Sequence, residues 1–402
     1  MQRRYLFYVK EELPKPEAHL IQVVQCANGA ANNGLSTWLA YPEWGNGAVA
    51  KPWRWIMPRP RAVSPSFAEF YNVQSQLQLL PLAQPWPVDR IPHKLTSSST
   101  MVCKYYWPLF LKRCTSLVHT RDWNFVKAAI ISGTPVVYEC HHFLDRPYEP
   151  QIANSSLLQL AVTVVDTVKA NMLENGMPED KIAVIPNGYN CQFLERHLQA
   201  ALEWRSRLLP SREDRLVVYA GALYPFKGID LMLEAAERLP QVHFAIAGGP
   251  LEQQHHYQGQ IQQRHLRNVK FLGFLGQQSL AALLQAADVL AHPHLSGRAA
   301  SFTSPLKLFD YLAAGTPVVA TKIASLRALQ RENAIAAWCE PDDSREFQQA
   351  LEAVLRRYPW RPQGYSQGPD YVRPFSWEGR IQRILSRVAP QFRPQPLPLQ
   401  SQ

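Results

Sequence analysis

Two hydrophobic periods alternate along the whole chain. Short, continuously apolar runs such as Tyr5–Val9 and Arg215–Ala220 predict strands, whereas Ala18–Asn32, with apolar residues at helical spacing, predicts a helix. Strands recur about every thirty residues with helices between them, a pattern typical of βαβ units. The chain is therefore predicted to be an α/β protein with a doubly wound parallel sheet in each half.

Polarity along the chain predicts how the two halves are divided. The charged stretch Glu195–Arg215 is interpreted as a linker, so Rossmann-like domains are expected over residues 1–200 and 201–374, facing a cleft. A helix over residues 375–390 is expected to return toward the first domain. Residues 391–402, rich in Pro and Gln, are expected to be disordered.

Two segments are harder to interpret. Phe67–Leu80 is interpreted as a short helix, and Leu157–Ala161 as helical before a strand at Val162–Val165.

Composition excludes several classes of protein. Of 402 residues, 46% are hydrophobic and 18% are charged, which excludes a mostly disordered chain. No apolar run approaches the roughly 20 residues that span a bilayer, so a cytoplasmic location is expected. The six cysteines include no C-x-x-C pair, which favours free thiols over a zinc site.

Charge indicates the kind of partner. The net charge of +10 is spread over both halves and favours an anionic partner such as a nucleotide, a phospholipid surface or an acidic glycan. No basic block suggests a nucleic-acid arm, so a nucleic-acid partner is not expected.

The stretch TSPLKLFDYLAAGTPVVAT, residues 303–321, predicts a helix that begins after Ser304 with Pro305 as its first residue. The free N–H groups of such a helix end can bind phosphate. Asp310 on this helix could accept hydrogen bonds from ribose hydroxyls. The alternative is a capped amphipathic helix with Lys307 and Asp310 on its wet face.

A second stretch, VVYAGALYPFKGIDLML (residues 217–233), predicts a strand, a loop and a helix. The loop holds Gly221 and Gly228, and Lys227 lies at the start of the helix, where its ammonium group could neutralise a diphosphate. The alternative is an ordinary solvated lysine.

These stretches, taken with others in the same order, resemble the glycosyltransferases of family four (group 1), which have the GT-B fold. The segments that carry the resemblance are VTVVDTVKANMLENGMPEDKIAVIPNG (Val162–Gly188), YAGALYPFKGIDLMLEAAERLP, NVKFLGFL (Asn268–Leu275), ADVLAHP, SPLKLFDYLAAGTPVVAT and, near the C-terminus, FSWEGRIQRIL. The resemblance runs along nearly the whole chain and is strongest from Val162 to Ala320.

The resemblance implies a function and a set of site residues. It implies retaining transfer of a sugar, without a bound metal ion or cofactor, from a UDP- or GDP-sugar held by the C-terminal domain to a glycan or lipid-linked acceptor held by the N-terminal domain. His141 and Glu139 would orient groups at the anomeric centre, and Lys227 would contact the diphosphate. The residues implied at the nucleotide are Gly221, Lys227, Gly248, Gly249, Ser304, Pro305, Leu306, Lys307 and Asp310.

The chain departs from the family pattern at two positions. Ala222 stands where an arginine often contacts phosphate, and Phe302 stands where the first of two acidic residues is usual; Arg298 is a candidate replacement for the missing cation. These departures keep open a GT-B-like binding protein without catalytic activity. A nucleotide-sugar epimerase is a further alternative, although the motifs contain few of the acids it would need.

The run KPWRWIMPRPR, Lys51–Arg61, interleaves two tryptophans with four cations. Such a segment can contact an anionic membrane surface, which would place the protein at the inner membrane face. The alternative is a proline-rich loop packed on its own domain.

Overall fold

The computed structural model describes residues 3–44, 57–73, 76–84, 97–302 and 306–396. Contacts divide the chain into two compact units: the first combines Met1–Gly188 with Trp377–Gln402, and the second is Tyr189–Ser376.

Within the described residues, the first unit contains an eight-stranded sheet and helices. Its strands are β1 (Arg4–Tyr8), β2 (Thr37–Glu43), β3 (Arg61–Ala62), β4 (Gln78–Ala83), β5 (Thr115–Thr120), β6 (Val136–Glu139), β7 (Leu158–Thr163) and β8 (Ile182–Val184). Its helices before the second unit are α1 (Ala18–Asn32), α2 (Pro65–Tyr71), α3 (Ser98–Met101), a π-helix (Val102–Leu111), α4 (Trp123–Ile131), α5 (Pro150–Ala153) and α6 (Asp166–Glu174).

The sheet order in the first unit is β3-β4-β2-β1-β5-β6-β7-β8, and β3 pairs antiparallel with β4 while the other neighbours are parallel. In register, Tyr8 pairs with Ala40 and with Thr120, and Thr120 pairs with Tyr138. The carboxyl ends of β1, β5 and β6 therefore lie side by side, where ligands bind in sheets of this kind.

The second unit contains a six-stranded, fully parallel sheet in the order β11-β10-β9-β12-β13-β14. Its strands are β9 (Arg215–Ala220), β10 (Val242–Ala247), β11 (Val269–Gly273), β12 (Val289–His292), β13 (Val318–Thr321) and β14 (Ala337–Cys339). Its helices are α7 (Leu198–Leu208), α8 (Ile229–Arg238), α9 (Leu251–Gln263), α10 (Gln277–Ala286), α11 (Arg298–Phe302), α12 (Leu306–Ala313), α13 (Ser344–Arg357) and α14 (Gln367–Val372).

The last α-helix, α15 (Trp377–Ser386), belongs to the first unit. Short 3₁₀ turns complete the described structure at Lys112–Cys114, Glu179–Lys181, Cys191–Phe193, Pro225–Lys227, Ala324–Leu326, Leu329–Arg331, Arg373–Phe375 and Pro390–Phe392.

The central strands of both sheets are buried on both faces. Tyr5, Leu6 and Phe7 of β1, and Val217 and Val218 of β9, have no exposed surface. Helices cover the two faces of a parallel sheet, which is why such strands are continuously apolar rather than alternating. The predicted doubly wound parallel sheets are confirmed in both halves.

The division between the units differs from the sequence-based expectation. Residues 189–200 lie in the second unit, and the expected linker contains helix α7. Trp204 of this helix is buried in the core of the second unit, and Arg205 donates a 2.8 Å hydrogen bond to the buried Asp288. A charged stretch therefore forms part of a domain because its charges are paired inside.

Three other expectations were wrong. The segment Leu157–Ala161, expected to be helical, lies almost entirely in strand β7. Periodicity alone cannot distinguish a helix from a strand in such a short, buried apolar run. Within Phe67–Leu80, helix α2 ends at Tyr71 and strand β4 begins at Gln78. The expected disordered tail begins with structure: Pro396 forms an antiparallel bridge with Leu35. Residues 397–402 lie outside the described residues.

Candidate functional site

In the second unit, the predicted phosphate lysine lies in the loop that follows β9. Lys227 ends the turn Pro225–Lys227, is partly buried and lies with Nζ 4.9 Å from the ring centre of Phe226. Within the described part of the chain, its ammonium group forms no ion pair or hydrogen bond. Burial lowers the pKa of Lys227 to about 8. An ammonium group held in this way is a binding partner for an anion.

Two histidines that sequence reasoning missed surround the same lysine. His292 ends β12 and His294 follows Pro293; both are buried, and their ring centres are 3.7 Å apart. Burial, and then the charge of Lys227, lowers the pKa of His292 to about 3. Burial, followed by the charges of His292 and Lys227, also lowers the pKa of His294. Both imidazoles are therefore neutral at pH 7.

Glycine makes the close approach of these loops possible. Gly228 has a φ of +72°, and a Cβ atom at this position would lie 1.8 Å from the carbonyl oxygen of Pro293. The backbone N–H of Leu295 donates a 2.9 Å hydrogen bond to the carbonyl of Phe226. The Lys227 turn is thereby fixed against the segment that carries the two histidines.

The other predicted glycines lie at the same edge of the sheet. Gly221 follows β9, and Gly248 and Gly249 follow β10. A Cβ atom on Gly248 would lie 2.3 Å from the carbonyl oxygen of Gly221, so the two loops are in contact. The carboxyl ends of β9, β10 and β12 therefore bring together the glycine loops and the basic groups.

Helix α12 begins at Leu306 and carries Lys307 and Asp310. The expected helix start at Thr303, Ser304 and Pro305 lies outside the described residues. Asp310 is buried, with Lys307 Nζ 3.6 Å from its Oδ2. Burial raises the pKa of Asp310 to about 6, although Lys307 and the backbone N–H of Asn190 favour the ionised form. Its ribose-binding role stays a prediction.

The two departures from the family pattern are also placed. Ala222 lies in the loop after β9, where its carbonyl accepts a 2.6 Å hydrogen bond from the Tyr219 hydroxyl. Arg298, the candidate replacement cation, is exposed and begins α11, and Phe302 ends that helix.

In the first unit, Glu139 lies at the end of β6 and is 2% exposed. Its Oε1 accepts a 2.7 Å hydrogen bond from Arg380 Nη1 and lies 2.7 Å from His119 Nε2. Its Oε2 accepts a 2.7 Å hydrogen bond from Gln22 Nε2 and lies 2.7 Å from His141 Nε2. Arg380, His119 and His141 outweigh burial and hold the pKa of Glu139 well below its usual range. Glu139 is thus ionised and lies in contact with four side chains of its own unit.

This environment changes the interpretation of Glu139. Both oxygens are occupied by side chains of its own unit, so we interpret it as a residue that positions His141 rather than one that touches the reacting sugar. His141 Nε2 lies 2.7 Å from Glu139 Oε2, but the angle between them is not that of a hydrogen bond. A carboxylate at this distance nevertheless favours the tautomer of His141 that carries its proton on Nε2. Burial and the charge of Arg121 lower the pKa of His141 to about 4. His141 is therefore neutral and keeps Nδ1 as an acceptor.

Arg380 was missed by sequence reasoning. It lies on α15, is fully buried, and donates from Nε to the carbonyl of Pro186 at 3.1 Å. Its helix packs closely on α1: a Cβ atom on Gly29 would lie 2.8 Å from the backbone carbon of Trp377. The only feature of the sequence that could have indicated this role is that Arg380 lies on the apolar side of α15.

Further observations concern the membrane and metals. No helix in the described ranges is long and apolar enough to cross a bilayer. The same ranges contain no group of three or more His, Cys, Asp or Glu side chains arranged to hold a metal ion. Of the proposed membrane-contacting run, Lys51–Ile56 lies outside the described residues.

The comparisons with known sequences cover part of the chain. Residues 214–357 match the family model Glycosyl transferases group 1. A phosphatidyl-myo-inositol mannosyltransferase of Mycobacterium leprae is 29% identical over 213 residues, covering 51% of this chain and 53% of the relative. A D-inositol 3-phosphate glycosyltransferase of Mycobacteroides abscessus is 24% identical over 67% of this chain and 65% of the relative. The chain thus spans about half the length of the curated relatives it matches first.

The comparison with solved structures extends over nearly the whole chain. Anabaena HepE in complex with UDP and glucose has a TM-score of 0.68 at 16% identity, covering 96% of this chain and 99% of that chain. Sucrose-phosphate synthase from Thermosynechococcus elongatus has a TM-score of 0.70 at 18% identity, covering 96% of this chain and 97% of that one. These similarities show the fold, which is the GT-B fold of glycosyltransferases.

Proposed function

We propose that this protein is a glycosyltransferase that uses a nucleotide-sugar donor, because residues 214–357 of the second unit match the family model Glycosyl transferases group 1. The observation that carries the proposal is Lys227, a partly buried ammonium group without a described partner, at the carboxyl edge of the second sheet. A cation in this position is suited to the diphosphate of a nucleotide sugar. The presence of UDP in the HepE structure supports a UDP-sugar as the first donor to test.

The charges suggest how catalysis proceeds. In the transfer, the bond between the anomeric carbon and the β-phosphate oxygen breaks, and its electron pair goes to the nucleoside diphosphate. The acceptor oxygen forms a bond on the same face of the sugar, with retention, and its proton passes to the departing phosphate. Lys227 would stabilise the growing negative charge more in the transition state than in the ground state. This route uses no nucleophile from the protein.

The first unit would hold the acceptor, a glycan or a lipid-linked sugar. We propose that Nδ1 of His141, with its proton kept on Nε2 by Glu139, accepts a hydrogen bond from a hydroxyl near the anomeric centre. The pathway proposed is cell-surface polysaccharide or glycolipid synthesis. It is supported by the name of the Mycobacterium leprae relative, a phosphatidyl-myo-inositol mannosyltransferase.

The test is nucleotide binding by the full chain. We expect UDP, GDP or ADP to raise the melting temperature and to give a binding isotherm, each measured with magnesium and with EDTA. A ligand at about 100 times its Kd stabilises a protein by about 2.7 kcal/mol, which is readily measured. Lys227→Ala is expected to abolish the shift, and to lower the rate of UDP release from the matching UDP-sugar by about 10²–10³-fold.

The matched control is Lys270→Ala, which changes an exposed lysine of the same unit near the start of β11. It should bind nucleotide as the wild type does. Binding that survives Lys227→Ala would contradict the assignment of the donor site. A different outcome is that the protein binds nucleotide but releases no nucleoside diphosphate from the matching nucleotide sugar when acceptor is present. That result would favour a GT-B-like binding protein.

A further inference from the structure

A second group of cations lies at the carboxyl edge of the first sheet, beside His141. Arg121 directly follows β5, and Lys10 comes two residues after β1. His141 and His142 follow β6. Because β1, β5 and β6 are neighbours in register, these side chains emerge side by side.

Among the described residues, no carboxylate forms a close ion pair with the guanidinium group of Arg121. Its single hydrogen bond among the described residues runs from Nη1 to Gln22 Oε1, at 3.5 Å. The carboxylates that act on it at longer range are Glu139 and Glu11. Glu139 is already held by Arg380 through two hydrogen bonds, of 2.7 and 3.3 Å. Glu11 lies 3.6 Å from His19 Nε2.

Among the described residues, Arg121 is therefore not held in a close ion pair, although Glu139 and Glu11 act on it at longer range. Arg380 and Glu139 neutralise each other, and His141 is uncharged at pH 7. Arg121 remains as a partly buried positive charge, and burial lowers its pKa as expected for a cation removed from water. The nearby His142 senses the same field, since burial and the charges of Arg121, Lys10 and His19 lower its pKa.

We propose that Arg121, assisted by Lys10, binds a phosphate group of the acceptor at the carboxyl edge of the first sheet. This inference rests on the proposed function, because it assigns the substrate class of the acceptor side of that reaction. A guanidinium group presents paired N–H donors that match phosphate oxygens. An anion from solution would supply a close counter-charge, which no carboxylate among the described residues does.

The proposal also explains why Arg380 matters at this edge. Both oxygens of Glu139 already contact other side chains, so this carboxylate acts on Arg121 only at longer range. Arg121 therefore remains a positive charge near His141.

The probe is inorganic phosphate, titrated calorimetrically into the full chain at pH 7. Lys227→Ala serves as the background, because it removes the proposed phosphate partner of the second unit. In that background we expect one phosphate to bind. Arg121→Gln should weaken binding about ten- to one-hundredfold, the usual range for a hydrogen bond to a charged group. Arg121→Lys, which keeps the charge, should retain most of the affinity.

The matched control is Arg113→Gln, an exposed arginine at the opposite end of β5, which should leave phosphate binding unchanged. Without phosphate, Arg121→Gln should melt no lower than its background, because it removes a partly buried charge that has no close ion pair in the described part of the chain. A clear fall in melting temperature would assign Arg121 a structural role and overturn the proposal.

A second arm identifies the source of the phosphate. Vesicles of phosphatidylglycerol and phosphatidylcholine are sedimented with the same variants. Arg121-dependent sedimentation that inorganic phosphate reverses indicates a lipid phosphate, whereas Arg121-dependent binding of inorganic phosphate alone indicates a soluble acceptor. If neither probe depends on Arg121, the inference is wrong. UDP binding to the wild type, measured in parallel, shows separately whether the proposed donor site stands.

Discussion

Replacing Arg380 by Met tests whether the buried cluster stabilises the first unit. The substitution leaves the ionised carboxylate of Glu139 buried without its strongest partner. Removing one member of a buried ion pair typically costs about 3–5 kcal/mol. His119 and Gln22 still contact Glu139, so we expect the lower end, about 3 kcal/mol. For a unit of this size that corresponds to a fall of about 6–12 °C in melting temperature.

The assay is urea unfolding of the full chain for Arg380→Met, Glu139→Gln and the double variant, with Arg387→Met as the exposed control just beyond the same helix. The double variant should be more stable than Arg380→Met, because no unpaired charge remains buried. A double variant less stable than Arg380→Met, or an Arg380→Met protein as stable as the wild type, would refute the argument.

The pH dependence has a definite sign. The pKa of Glu139 is lower in the folded protein than its ordinary value of 4.5, so its contribution to stability is complete above that value. The contribution is lost as the pH falls through the folded pKa. The stability difference between wild type and Arg380→Met should therefore be largest near neutral pH and should shrink in strong acid.

Two further predictions concern the second unit. Gly228→Ala should lower the free energy of unfolding by more than about 1 kcal/mol, because the new Cβ would overlap the Pro293 carbonyl and the φ of this residue is +72°. Urea unfolding measures the change. The control is Gly259→Ala, in an open helical position, which should be neutral or slightly stabilising. Asp310→Asn should raise stability by up to about 3 kcal/mol at pH 8 but little at pH 3: burial raises the Asp310 pKa from 3.8 to about 6, so wild-type stability is lost as the pH rises from the lower value through the higher one. Equal effects at both pH values would show that the carboxylate is not the cause.

The elements that sequence reasoning predicted best are those with a strong local pattern. Strand β9, the loop of Lys227 and helix α8 follow one another as expected, because a buried strand, two glycines and an amphipathic helix each leave a mark within a few residues. The expected linker at Glu195–Arg215 failed for the opposite reason. The polarity of this stretch can be read from neighbouring residues, but Arg205 pairs with Asp288, which lies 83 positions further along the chain.

The sequence by itself determined the alternation of strands and helices, the parallel sheets, and the glycine and lysine positions of the second unit. Only the tertiary structure decided the environment of each charged group. Arg380 and Glu139 are 241 positions apart in the sequence. The packing of helix α15, which carries Arg380, decides whether Glu139 contacts a ligand or positions His141. Backbone conformation is governed by neighbouring residues, whereas the charge and pKa of a buried group are governed by whatever the fold packs against it.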